Sequence, residues 1–329
     1  MPPLTRRRFL SAATAGVVAA AAGFSTLAPR RRALVAITLD LEMSAEYPRR
    51  GMTEWNYRKG DLDADTRRYA VKAAEVVKDR GGRIHFFAVG QTLEQQDVGW
   101  LKDLAAAGHP VGNHTYDHVN LLATKPEDIQ FRFRRAPWLI RGRTVAGVIE
   151  DNIATTTVAL KERCGITAAG FRTPGGFHKG LKDRPDVQKM LLRQGFTWVS
   201  SLYPSHTCGT PKQQPGEAVY ADIVRAQAEA QPFAYPSGLV EVPMSPVSDV
   251  TAFRTHYWKL DWFLKALRLA VEEAVRTGGA FDFLAHPSCL VVEDPTFEAV
   301  KLICDLVKEA GEERAAVVDL GTIAARVKE

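Results

Sequence analysis

Seven short apolar runs, at 33–39, 83–89, 168–172, 196–202, 239–244, 280–285 and 315–320, alternate with amphipathic stretches along this chain. The first, ALVAITL, is apolar almost throughout, as a parallel strand covered on both faces requires. Between the runs, apolar residues recur at helical spacing at 145–163, 185–194, 259–276 and 296–310, and Ala70, Ala73, Ala74 and Val77 mark an earlier helix ended by Gly81-Gly82. Strands alternating with helices define an α/β protein, built as a parallel barrel of seven or eight βα units or as a doubly wound sheet. A chain of 329 residues suits one such barrel with insertions. The polar, Pro-containing stretch 203–238 reads as an elaborated loop with one helix near 216–230.

The first 28 residues stand apart from this pattern. Thr5-Arg6-Arg7-Arg8-Phe9-Leu10 precedes an Ala/Gly/Val-rich run, the layout of a secretory signal. Its Arg pair followed by Phe-Leu points to twin-arginine export, with the twin-arginine machinery as partner and a periplasmic, cell-wall or secreted destination. An uncleaved anchor helix is the other reading of the segment. Arg6, Arg7 and Arg8 are its only charges, so the net charge of +5 falls to +2 without it, and no nucleic-acid partner is implied. No later stretch is apolar enough to span a bilayer. Cys164, Cys208, Cys289 and Cys304 lack zinc-site spacing and read as free, mostly buried thiols.

Four constellations fall where barrel chemistry collects, just past the C-terminal ends of strands. In Asp40-Leu41-Glu42 the two carboxylates share one strand face, which fits a cation site or a charged strand end. In His114-Thr115-Tyr116-Asp117-His118 two imidazoles four residues apart can reach one metal, although taken alone they read rather as surface histidines. Arg172-Thr173-Pro174-Gly175-Gly176 joins a carboxylate-binding guanidinium to a turn that lets a ligand approach the backbone. His286-Pro287 ends an apolar strand on a group able to give or take a proton near neutral pH. One carboxylate and two histidines make an open catalytic site suited to zinc, with cobalt or nickel also compatible.

In this order, and with the strand Phe86-Phe87-Ala88-Val89-Gly90, the motifs resemble the polysaccharide deacetylases of the NodB-homology type, carbohydrate esterase family 4. The resemblance runs from about Ala33 to the C-terminus. It implies a distorted (β/α)7–8 barrel forming a single catalytic domain over 33–329. It also implies Asp40 as base, Glu42, His114 and His118 as ligands of a divalent metal, Arg172 as the residue orienting Asp40, and His286 as acid. Pro174, Gly175, Gly176 and Trp198 would line the substrate, an acetylated polysaccharide or peptidoglycan losing N- or O-acetyl groups.

Two departures from the family stand out. Leu41 separates the opening acids, a spacing similar to a branch that holds some peptidoglycan deacetylases and cofactor-free allantoinases. Trp198-Val199-Ser200-Ser201 offers a Trp but not the Asp that should hold Arg172. Rival readings are therefore an amidohydrolase of small cyclic amides or ureides and a degenerate, glycan-binding barrel. Arg132, Arg134, Arg135, Arg141 and Arg143 read as a solvated helix face that could also meet an anionic polymer. His256-Tyr257-Trp258 and Trp262 read as core that could also stack on sugars.

Overall fold

The computed structural model describes residues 31–327, so the export signal read at 1–28 lies outside the described residues. Among the described residues nine strands make one sheet: β1 (Ala33–Leu41), β2 (Ile84–Ala88), β3 (Val111–Asn113), β4 (Phe171–Phe177), β5 (Trp198–Leu202), β6 (Phe233–Ala234), β7 (Val240–Glu241), β8 (Ala280–Ala285) and β9 (Ala315–Val318). Their order is β6-β7-β5-β4-β3-β2-β1-β8, with β9 also on β1, and every pair is parallel except β6–β7. The sheet curls into a half-barrel with helices around it, a single-domain form of the expected (β/α) barrel. Its seam is bridged where the Ser245 N–H donates to the Asp282 carbonyl at 3.0 Å.

Strand periodicity sorts the side chains into two worlds. Val35, Ile37, Leu39 and Leu41 of β1 face outward into the main core, against the helices Ala64–Lys78, Leu260–Thr277 and Glu298–Ala310. Ala36, Thr38 and Asp40 face the barrel interior. The interior floor is closed by Ala36, Phe87, Trp198, Val240, Ala280 and Leu320. The first helix starts on Asp63, whose carboxylate accepts from the Thr66 N–H at 2.7 Å, and the helix Val145–Cys164 ends on Gly165 in the left-handed region.

Several elements differ from the sequence expectation. The Arg172–Gly176 segment is not a βα turn: β4 runs on to Phe177 with a register shift against β5, and Gly175 adopts φ +78°. β7 is two residues long, because the inner edge 242–244 bonds the β5 backbone without a regular ladder. β3 has three residues, too few to mark an apolar run. Helix 217–229 matches the one expected within the long loop. All four cysteines are free, and three are buried. Among the described residues, no helix is long and apolar enough to cross a membrane.

Candidate active site

Asp40 is the next-to-last residue of β1, and Glu42 follows as the chain turns, its N–H donating to the Asp40 carbonyl at 3.0 Å. Helix Pro287–Glu293 fixes that turn. The Ser288 hydroxyl donates to the Glu42 carbonyl at 3.0 Å and accepts from the Ser44 N–H at 2.9 Å. Both carboxylates are thereby buried at the barrel mouth while Leu41 points into the core.

The His114–His118 segment is a clamped loop, not a helix. Thr115 and His118 adopt φ near +58° and +57°. Asn113 Oδ1 accepts from the Thr115 N–H at 2.8 Å, and the Thr115 hydroxyl oxygen accepts from the Val119 N–H at 2.9 Å. Asn152 holds the middle of the loop through the Asp117 N–H, at 2.8 Å. The loop turns both imidazoles toward Glu42. His118 Nε2 lies 2.6 Å and His114 Nε2 3.7 Å from Glu42 Oε2. That oxygen is buried with these two imidazoles as its neighbours, and one ligand atom each from Glu42, His114 and His118 lies within 4.8 Å of the others. His114 Nδ1 faces the Arg172 carbonyl at 3.0 Å, which places the proton on Nδ1 and the lone pair on Nε2. A buried carboxylate oxygen faced by two imidazole nitrogens fits a small divalent cation. Burial pushes the His114 imidazole down to about 4, partly offset by Asp40. Burial alone would raise Glu42, yet His118, Lys59 and His286 hold it well below the usual carboxylate range.

Sequence reasoning missed three residues here. The first answers the lack of an Asp beside Trp198. Arg172, fully buried, is held by Asp282 of β8 through Nη2 and reaches Asp40 Oδ1 at 3.1 Å and the Thr38 hydroxyl at 2.7 Å through Nη1. Its guanidinium also lies 4.5 Å over the Phe87 ring and 3.2 Å from the Ser200 hydroxyl. Arg172 therefore has its carboxylate, supplied from another strand. Burial raises Asp282 to about 6, with Arg172 pulling the other way.

The second is Asp249, fully buried, which accepts from the His286 N–H at 2.8 Å and lies 3.0 Å from His286 Nδ1. His286 has extended geometry before Pro287, and its Nε2 is left facing Glu42 Oε1 at 3.6 Å. Burial works against its charged form, but Asp249, Glu42 and Asp40 together raise its pKa. The third is Lys59, buried, with Nζ 3.1 Å from Glu42 Oε1.

Asp40, Glu42, His114, His118 and His286 line one cavity of about 590 Å³, as do Pro174, Gly175 and Gly176. Trp198 does not, which corrects its assignment to the substrate. It is the first residue of β5, at the opposite end of the strand, and closes the barrel floor against His85 and Phe87, with ring centroids 5.6 and 6.2 Å away. Gly170, at φ +95°, passes so close that a Cβ there would stand 1.9 Å from the indole. Trp258 is likewise core, its indole N–H donating to the Cys208 carbonyl at 3.2 Å.

Comparison with known proteins agrees with this geometry. Residues 61–189 match the family model for polysaccharide deacetylase, a range that includes His114, His118 and Arg172. No curated protein matches the chain. Among solved structures, a candidate polysaccharide deacetylase from Mycobacterium smegmatis superposes with TM-score 0.58 at 18% identity, covering 92% of this chain and 91% of that one. PuuE allantoinase gives 0.56 at 13% identity, over 92% and 94%. A candidate polysaccharide deacetylase from Pseudomonas aeruginosa PAO1 gives 0.56 at 13%, over 92% and 95%. At these identities the likeness is one of fold.

Proposed function

Taking residues 61–189 as a polysaccharide deacetylase region, we propose that this chain is a metal-dependent hydrolase that removes acetyl groups from a polysaccharide. The observation that carries the reading is one cavity holding a Glu42–His114–His118 ligand set between a guanidinium-held Asp40 and an Asp249-held His286. A divalent ion held by the three ligands, zinc first and cobalt or nickel as alternatives, would polarise an acyl carbonyl and acidify a water molecule.

The chain's own groups supply the proton traffic. Asp40 has one oxygen tied to Arg172, and its other oxygen, 3.7 Å from His114 Nε2, faces the ligand cluster. From there Asp40 takes the proton of the attacking water. His286 stands at the cluster's other side with Nδ1 fixed by Asp249 and Nε2 free to protonate the leaving amine or alkoxide. Asp249, Glu42 and Asp40 raise its pKa against the effect of burial, which favours the charged form that a proton donor needs. Pro174, Gly175 and Gly176 present a wall with little side chain, where an acyl group can approach the backbone.

The Arg6-Arg7 pair motivates twin-arginine export, which would carry this activity outside the cytoplasm, where the polymer would belong to a cell wall or extracellular matrix. Lys replacement of both arginines should hold the protein inside. The likeness to an allantoinase motivates adding cyclic ureides to the test panel. We expect acetate release from an acetylated glycan, about one divalent ion per chain, and loss of turnover on chelation that metal restores. Hydrolysis of a cyclic ureide without acetate release from any glycan would overturn the reading.

A further inference from the structure

Beside the catalytic cavity lies a second groove of about 640 Å³. One ridge separates the two, because successive residues face opposite sides. Asn56, Gln130 and Arg134 line the catalytic cavity, and Tyr57, Arg132 and Arg135 line the groove. The ridge is ordered: the Tyr57 and Phe131 rings meet edge to face at 5.7 Å, with Arg135 over the first and Arg134 over the second. It is also tied to the catalytic loop. Arg132 pairs with Asp117, the neighbour of His118, and Gln91 of the groove wall donates to the same carboxylate at 2.9 Å.

Apolar surface is exposed on both sides of this groove, Phe131 on the ridge and Trp138 and Leu139 on the groove's own wall. Among the described residues, three of six exposed large hydrophobic side chains fall within nine positions: Phe131, Leu139 and Trp138, the last 64% exposed. An indole this open is unusual in a folded domain unless something covers it. The walls around it are Arg, Gln and Glu side chains, planar groups that offer hydrogen bonds along an edge. A flat apolar face with a rim of planar polar groups complements a sugar ring, which has a face of C–H groups and a rim of hydroxyls. Arg135 has the Tyr57 ring as its contact and no carboxylate partner among the described residues, so the groove also accepts an acidic substituent.

We propose that this groove is an extended subsite for a glycan chain, with Trp138 as its stacking platform, so that the substrate is a polymer crossing the Tyr57–Phe131 ridge from the catalytic cavity. The inference rests on the deacetylase reading and narrows it, since a small cyclic amide would fill the catalytic cavity alone. The groove's own chemistry favours a glycan over a second copy of this chain, because polar groups make most of its lining residues.

The test uses the metal-loaded protein with N-acetylated hexosamine and O-acetylated pentose oligomers of one to six units. We expect kcat/KM to rise at least tenfold from the shortest to the longest substrate in one series. Trp138→Ala and Arg135→Ala should flatten that rise while leaving the shortest substrate unaffected. A wild-type rate independent of chain length would overturn the subsite, as would an equal loss on short and long substrates. If no oligomer is turned over, the deacetylase reading fails separately. The groove is then judged by fluorescence titration of the wild type against Trp138→Phe: saturable quenching confined to the wild type supports it, and no quenching overturns it. A dimer in light scattering that Trp138→Ala dissociates would also overturn it, by assigning the face to self-association.

Discussion

Two buried histidines on neighbouring parts of the sheet have opposite fates. His85 lies in β2 on the barrel floor, and His114 follows β3 at the mouth. Burial depresses both, to about 3 and about 4, so both are neutral at pH 7. The difference is which nitrogen is kept busy. His85 Nδ1 accepts from the Leu320 N–H at 3.4 Å, its ring is stacked on Phe87 at 4.6 Å, and Trp198 stands edge-on to it. His114 Nδ1 instead faces a carbonyl, so its Nε2 lone pair points at Asp40 and Glu42. A neutral imidazole becomes a structural plug or a metal ligand according to the backbone group that selects its tautomer.

The largest expected effects lie at the mouth. His286→Ala should keep fold and metal and lower kcat by about 10²–10⁴-fold, the range for a general acid or base. Asp40→Asn should do likewise, since the amide keeps the Arg172 contact's shape but accepts no proton from water. Turnover per bound metal is the measurement. Near wild-type turnover in either variant would remove that residue from the chemistry.

Next come the ligands. His114→Ala and His118→Ala should each weaken metal affinity by more than about 100-fold, beyond the upper range for loss of an outer partner alone. His85→Ala should leave metal affinity unchanged and lower stability instead. Glu42→Ala should lose metal and activity together. Titration with a competing chelator separates these outcomes, and full occupancy in both mouth variants would break the comparison outright.

Between floor and mouth sits the Arg172 layer, which shows how far the sequence alone could go. The four motifs were legible because each sits in consecutive residues at a strand end. Asp282 was not, because it lies inside the apolar run AFDFLA and meets Arg172 across 110 positions of sequence. Its alternation with Phe281 and Phe283, both buried in the outer core, was the available sign that it faces inward. Asp249 gave no sign, since it lies beyond the two-residue β7 as the cap of a short π-helix, Val250–Thr255, outside any apolar run. Trp198 was misplaced for the opposite reason: the motif named its strand correctly but not which end of the strand it occupies. Asp282→Asn should cost about 3–5 kcal/mol of stability, the usual penalty for leaving a buried charge without its partner. Thermal or denaturant unfolding checks this. A loss below about 1 kcal/mol would mean that Asp40 alone neutralises Arg172.

The smallest effect tests the floor histidine through pH. His85 has a folded pKa of about 3, below its ordinary 6.5, so the unfolded chain binds a proton that the folded chain refuses. Its neutral form therefore favours folding fully above pH 6.5, and that contribution is lost progressively as pH falls toward 3. Between pH 7 and pH 5 one such group removes about 2 kcal/mol, at 1.36 kcal/mol per unit beyond the unfolded value. His85→Gln retains an acceptor for the Leu320 N–H but has no proton to gain, so its stability should fall less over this interval. His286 contributes with the opposite sign, because its raised pKa favours folding at low pH, and it is present in both proteins. Subtracting the two denaturation curves at each pH isolates His85. Parallel curves from pH 7 to pH 5 would mean that the floor admits the proton, and the contrast with His114 would then rest on metal binding alone.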